Sequence, residues 1–149
     1  MKRNKRFLIV VLLLIFIRIN SQVKIESTDN LKCRIENSGQ SYVGKTLQSF
    51  LTNIGMDIKM VTYERINEGK DYDITLLFIT KKEYNKLRSQ KILPARVVIY
   101  FEDNQQTRRA YDSLEQYGYV ENEKIPYFLD QLKNLLIKDI RGSEDAIMK

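Results

Sequence analysis

Ser38-Gly-Gln-Ser-Tyr-Val-Gly-Lys-Thr46 carries the clearest chemical pattern in the chain, because Gly39, Gly44, Lys45 and Thr46 satisfy G-x-x-x-x-G-K-[ST]. In a loop of that type the glycines let backbone amides wrap an anion, the lysine reaches the terminal phosphates and the threonine hydroxyl holds Mg²⁺. The surroundings argue against it. Leu31 to Glu36, the stretch that would feed the loop, has a charge at every second position, whereas such a strand lies at a sheet centre and reads apolar. Tyr42 puts a bulky side chain where the wrapping backbone needs φ > 0. Phe78-Ile79-Thr80 ends an apolar run without an acid to take the metal. A helix start capped by Ser38 or Ser41 is the preferred reading, and phosphate binding through Gly39, Gly44, Lys45 and Thr46 is the alternative.

Two other constellations invite chemistry. Asp71 and Asp73 flank Tyr72, and carboxylates so spaced can hold a divalent cation. They stand at the entry of a core strand, however, while ligands of open α/β sheets bind beyond the strands' carboxyl ends, so solvated strand entry is expected. By the same rule a crevice would be lined by Thr80 and Lys81 after one strand and by Glu102, Asp103 and Asn104 after another. Thr80 and Asp103 are also helix caps, so no catalytic role is assigned. The chain has no histidine, which removes Ser-His-Asp and Cys-His activation and any histidine-bearing metal centre. No metal or cofactor is expected. Cys33 is the single cysteine, and alternation with Leu31 and Ile35 places it on the buried side of a half-buried strand.

Residues 1–22 read as an export leader. Lys2, Arg3, Lys5 and Arg6 precede an uninterrupted apolar run from Phe7 to Ile17, and Ser21 is small enough to precede a cleavage point. Eleven apolar residues fall short of the roughly 20 that span a bilayer as a helix, so a cleaved signal peptide is favoured over a short membrane anchor. In either case the remainder lies outside the cytoplasm, secreted or anchored. Five of the 25 basic residues belong to this segment, which leaves 20 against 19 acidic ones. Nothing in that balance points to nucleic acid.

The elements that must position these groups alternate along a single domain of residues 23–141, followed by a tail at 142–149. Val43, Leu47, Phe50, Leu51 and Ile54 mark one helix face that ends at Gly55. Ile58 to Tyr63 is β-prone, and a polar turn at Asn67 to Lys70 leads to a core strand, Asp73 to Thr80. Thr80 and Glu83 form a capping box for a helix to about Gln90, with Tyr84 and Leu87 inward. Arg96 to Phe101 is a second interior strand, and a helix capped by Asp103 follows, reaching Gly118. A last helix carries Phe128, Leu129, Leu132, Leu135, Leu136 and Ile140 on one face, with Pro126 in its first turn. Strands alternating with helices predict an open, mainly parallel sheet with helices on both faces, flavodoxin-like in architecture. Between Tyr63 and Asp73 no helix is evident, so that pair also reads as antiparallel.

The expected function is a non-catalytic, exported or membrane-anchored binding domain whose partner is a protein or an envelope component. Ile125, Phe128 and Ile137 are candidates for an exposed apolar docking surface.

Overall fold

The computed structural model describes residues 31–66, 71–114, 117–143 and 146–147; the leader at 1–22 lies outside them. Its centre is a five-stranded sheet in which every neighbouring pair is antiparallel. The strands are β1 (Met60–Ile66), β2 (Asp71–Leu77), β4 (Arg96–Phe101), β5 (Tyr117–Glu121) and β6 (Ile137–Ser143), in the spatial order β5-β1-β2-β4-β6. A short pair, β3 (Ile92–Leu93) and β7 (Ala146–Ile147), stands apart, so 142–143 belong to β6 and 146–147 to β7. The helices are α1 (Leu31–Ser38), α2 (Leu47–Leu51), α3 (Lys81–Ser89), α4 (Gln105–Asp112) and α5 (Ile125–Leu132). No helix among the described residues is long and apolar enough to cross a membrane.

The mainly parallel, flavodoxin-like expectation is therefore overturned. β1 and β2 form a hairpin in the register Met60↔Leu77 to Ile66↔Asp71, the antiparallel option left open by the missing helix between them. β4 has the expected bounds and β2 lies two to three residues earlier than the expected Asp73 to Thr80, yet they too run antiparallel, Tyr72↔Phe101 to Leu77↔Arg96. Two further strands are unexpected. The helix predicted to run up to Gly118 already stops at Asp112, and β5 begins at Tyr117. β6 occupies the second half of the last predicted helix. Its Ile137 and Ile140 are three apart, a helical spacing, because the register slips at Tyr100/Phe101: Tyr100 faces Asp139 and Phe101 faces Ile137. Lys138 is thus an extra residue, and the bulge returns both isoleucines to the same sheet face.

Strand parity divides the sheet into two unlike faces. One carries Val61, Ile74, Leu76, Val97, Ile99, Phe101 and Ile140, all buried in one cluster with Leu31 and Ile35 of α1, Leu47 and Phe50 of α2, Tyr111 of α4, and Ile125, Phe128, Leu129 and Leu132 of α5. Four helices thus cover that face. Tyr111 is fully enclosed there, its ring 5.0 Å from Tyr72 and its hydroxyl donating to the Asp73 carbonyl at 2.7 Å. The other face carries Thr62, Glu64, Asp73, Thr75, Val98 and Tyr100, with α3 beside it; Tyr84 and Leu87 of α3 are half-buried and none of its residues fully so.

Leu31 to Ser38 is helical, not a strand. Leu31 and Ile35 satisfy period two and the i,i+4 spacing equally, and the tertiary contact decides: both pack into the core while Cys33, between them, is exposed. The buried-thiol expectation is corrected accordingly. The expected exposed apolar surface is corrected as well, since Ile125, Phe128 and Ile137 are all buried.

Candidate functional site

The Gly39–Thr46 segment folds as follows. Gly39 to Tyr42 is a turn of 3₁₀ helix that continues α1, so a helix and not a strand leads into it. Gly44 has φ = +75°, the left-handed conformation that glycine permits. The amides that would cradle a phosphate are already engaged: Gly44 N–H donates to Ile137 O, Lys45 N–H to Tyr42 O, Leu47 N–H to Leu135 O and Gln48 N–H to Lys133 O, at 2.8–2.9 Å. Tyr42 is a core residue, edge-on to Phe50 with ring centroids 5.2 Å apart. Lys45 lies over the Tyr42 ring and Thr46 Oγ1 is 3.1 Å from Ser49 Oγ. These glycines fasten the chain to the edge of β6.

The five predicted crevice residues do not converge. Because β2 and β4 are antiparallel, Thr80 and Lys81 lie beyond one end of the sheet and Glu102, Asp103 and Asn104 beyond the other, about 17 Å of strand apart. Each end serves a helix. Thr80 Oγ1 accepts from Glu83 N–H while the Glu83 carboxylate accepts from the Thr80 amide at 2.9 Å, the expected capping box. The amide's bond, and a second that the Thr80 hydroxyl donates to the same carboxylate at 2.8 Å, hold the Glu83 carboxyl below its usual range. At the other end the cap of α4 is Asn104, accepting from Thr107 N–H, one residue later than expected. Asp103 instead forms a bidentate pair with Arg108 at 2.7 and 2.9 Å, which lowers its pKa.

A groove of about 1050 Å³ lies elsewhere, around β5 and the adjoining parts of β1, β2 and α3. On one sheet face it is lined by Thr62, Glu64, Asp73, Thr75, Tyr84, Arg88, Tyr119 and Glu121. The register sets Glu64 opposite Asp73 and Thr62 opposite both Thr75 and Tyr119. Asp73 is only 7 % exposed, against the expectation of a solvated strand entry. Tyr119 is 51 % exposed, with its hydroxyl accepting from Lys81 and the lysine nitrogen 3.7 Å from the ring centroid. Lys81 is thus the one predicted crevice residue that meets the groove. On the other face the lining passes to Tyr63, Leu114, Gly118 and Val120, then to Glu123 and Lys124. A Cβ on Gly118 would overlap the Tyr63 ring, which stacks on Phe128 at 5.1 Å. A smaller hollow of about 360 Å³ lies between α2 and α5, lined by Leu51, Ile54, Met56, Ile58 and Leu129.

Sequence reasoning missed the groove because its members come from segments far apart in the chain, and Tyr117 at the start of β5 reads as the end of a helix. The available signal was Tyr117-Gly-Tyr-Val-Glu121, a β-prone alternation with a glycine. Among the described residues no cluster of three or more acids and cysteines is arranged to hold a metal. Comparison with protein-family models, curated proteins and solved structures finds no match to this chain.

Proposed function

We propose that the protein is an exported or membrane-anchored domain that binds a protein or envelope partner and performs no chemistry on it. The observation that supports binding is the β5 groove, where tyrosine rings, carboxylates and an arginine converge from β1, β2, α3 and β5. Grooves of this size with mixed rings and hydrogen-bonding groups suit recognition. None of the groove hydroxyls has a histidine beside it, the chain having none, so the usual means of activating serine or threonine is missing. The extracytoplasmic location rests on the cations and apolar run at residues 2–17, which lie outside the described residues. If uncleaved, that segment also supplies the membrane contact. Nucleotide binding at Gly39–Thr46 is disfavoured by the engaged amides of Gly44, Lys45, Leu47 and Gln48.

Two measurements test the reading. A reporter enzyme active only outside the cytoplasm, fused to the carboxyl end, is expected to be active and to lose activity with Leu12→Arg plus Ile15→Arg; an inactive wild-type fusion refutes export. A photo-crosslinking side chain at position 119 is expected to give an adduct in cells, while the same group at position 141, on the far edge strand, gives none. Absence of any adduct at 119 refutes the groove as the binding surface.

A further inference from the structure

We propose that β5 is an acceptor edge: it takes up an extended peptide from another protein as a sixth strand, and the peptide alternates basic with small apolar residues. This rests on the binding reading above and names the partner's chemistry. β5 ends the five-stranded sheet, hydrogen-bonded to β1 on one side and to no strand on the other among the described residues. A strand so placed presents alternate amides and carbonyls outward, and proteins ordinarily blunt such an edge with proline, lysine or a bulge. Tyr117–Glu121 has none of these: its sequence is Tyr-Gly-Tyr-Val-Glu and its register with β1 is unbroken. The opposite edge differs, because the start of β6 is closed by Gly44, Lys45 and Thr46 through reciprocal bonds to Ile137 and a bridge to Leu136.

The groove follows β5 on both sheet faces, which is what an added strand needs, since its successive side chains point to opposite faces. On the face of Tyr119 and Glu121 the charged lining is Glu64, Asp73 and Glu121 against Arg88, with Lys81 held on Tyr119. Three carboxylates thus face one guanidinium there, in a domain whose 20 basic and 19 acidic residues otherwise balance. On the other face Gly118 and Val120 lie beside Tyr63 and Leu114. A peptide residue opposite Glu121 or Tyr119 therefore meets carboxylate and ring, favouring lysine or arginine. One opposite Gly118 or Val120 meets apolar surface, favouring valine or alanine.

The test is fluorescence anisotropy of a labelled Lys-Val-Lys-Val-Lys-Val peptide titrated with the full chain in non-ionic detergent. Saturable binding is expected, weakened about five- to tenfold by Glu121→Lys and less by Glu121→Gln. Two peptides N-methylated at alternate residues, in opposite phase, give the decisive signature: only alternate amides of an added strand face β5, so one phase abolishes binding and the other leaves it. Equal behaviour of the two phases, equal affinity for the Glu-Val counterpart, no saturable binding, or binding of a neutral oligosaccharide such as cellohexaose in its place overturns the proposal. A crosslink at position 119 in cells without peptide binding refutes the acceptor edge alone and leaves the binding reading standing.

Discussion

Gly142→Ala probes the contact that makes Leu31 to Ser38 a helix. A Cβ at Gly142 would stand 2.8 Å from the Cβ of Ile35, 2.9 Å from its Cγ1 and 2.9 Å from the carbonyl oxygen of Leu31. Two of these atoms are backbone or bonded directly to it, so no change of rotamer relieves the overlap and α1 has to lift from β6. Overpacking of this kind costs about 1–3 kcal/mol, while replacing glycine in a strand returns about 0.5–1 kcal/mol of chain entropy. The net expectation is a loss of about 1–2 kcal/mol, or a fall in Tm of about 3–10 °C for a domain of this size. Urea unfolding followed by far-UV circular dichroism reads it, with a lower midpoint and an unchanged slope. Gly44→Ala is the control, because Gly44 has φ = +75° and nothing within 4 Å of the added carbon. Its cost of about 1 kcal/mol is torsional and is relieved in Gly44→Asn, whereas Gly142→Asn is worse than Gly142→Ala. A Gly142→Ala protein as stable as wild type would refute the packing of α1 on β6 and reopen the strand reading of residues 31–36.

Exposed Cys33 is expected to react stoichiometrically with a thiol reagent in the native protein, and a requirement for urea would contradict its place on the outer side of α1. Tyr111→Phe removes the donor to the Asp73 carbonyl and is expected to cost about 1 kcal/mol in the same urea assay, with no effect meaning that the bond is absent in solution. Thr80→Ala removes the α3 cap and is expected to cost about 1 kcal/mol. Glu83 adds a pH dependence to this cap. Its folded pKa lies below the ordinary 4.5, so its contribution is present above that value and is lost as pH falls through the folded pKa. Thr80→Ala keeps the backbone amide's bond to the Glu83 carboxylate and loses the hydroxyl's, so stability measured from pH 6 down to pH 3 declines slightly less steeply than in wild type, and parallel curves would refute the hydroxyl's bond.

What could be read locally was read nearly to the residue. Asp73 to Thr80 and Arg96 to Phe101 are apolar enough to be interior strands by composition, and the strands observed there, Asp71–Leu77 and Arg96–Phe101, are neighbours inside the sheet. The Thr80–Glu83 capping box needs residues only three apart, and both of its bonds are present. Where two periods fit the same apolar residues, local reading failed. Leu31 and Ile35 fit a strand and a helix alike, and Ile137 and Ile140 mimic a helix because Lys138 is bulged out. The candidate crevice failed for a different reason: the convergence of its residues depended on strand direction.

Composition and order alone determined that this chain brings no histidine to any site, and they set two interior strands and the capping box of α3, because these depend on residue type and on neighbours a turn away. Strand direction, the burial of Asp73, the exposure of Cys33 and the groove around β5 were decided by tertiary structure alone. Each depends on pairings between segments distant in the chain. An apolar strand buries its side chains equally well beside a parallel or an antiparallel neighbour, so its own residues carry no record of which it meets.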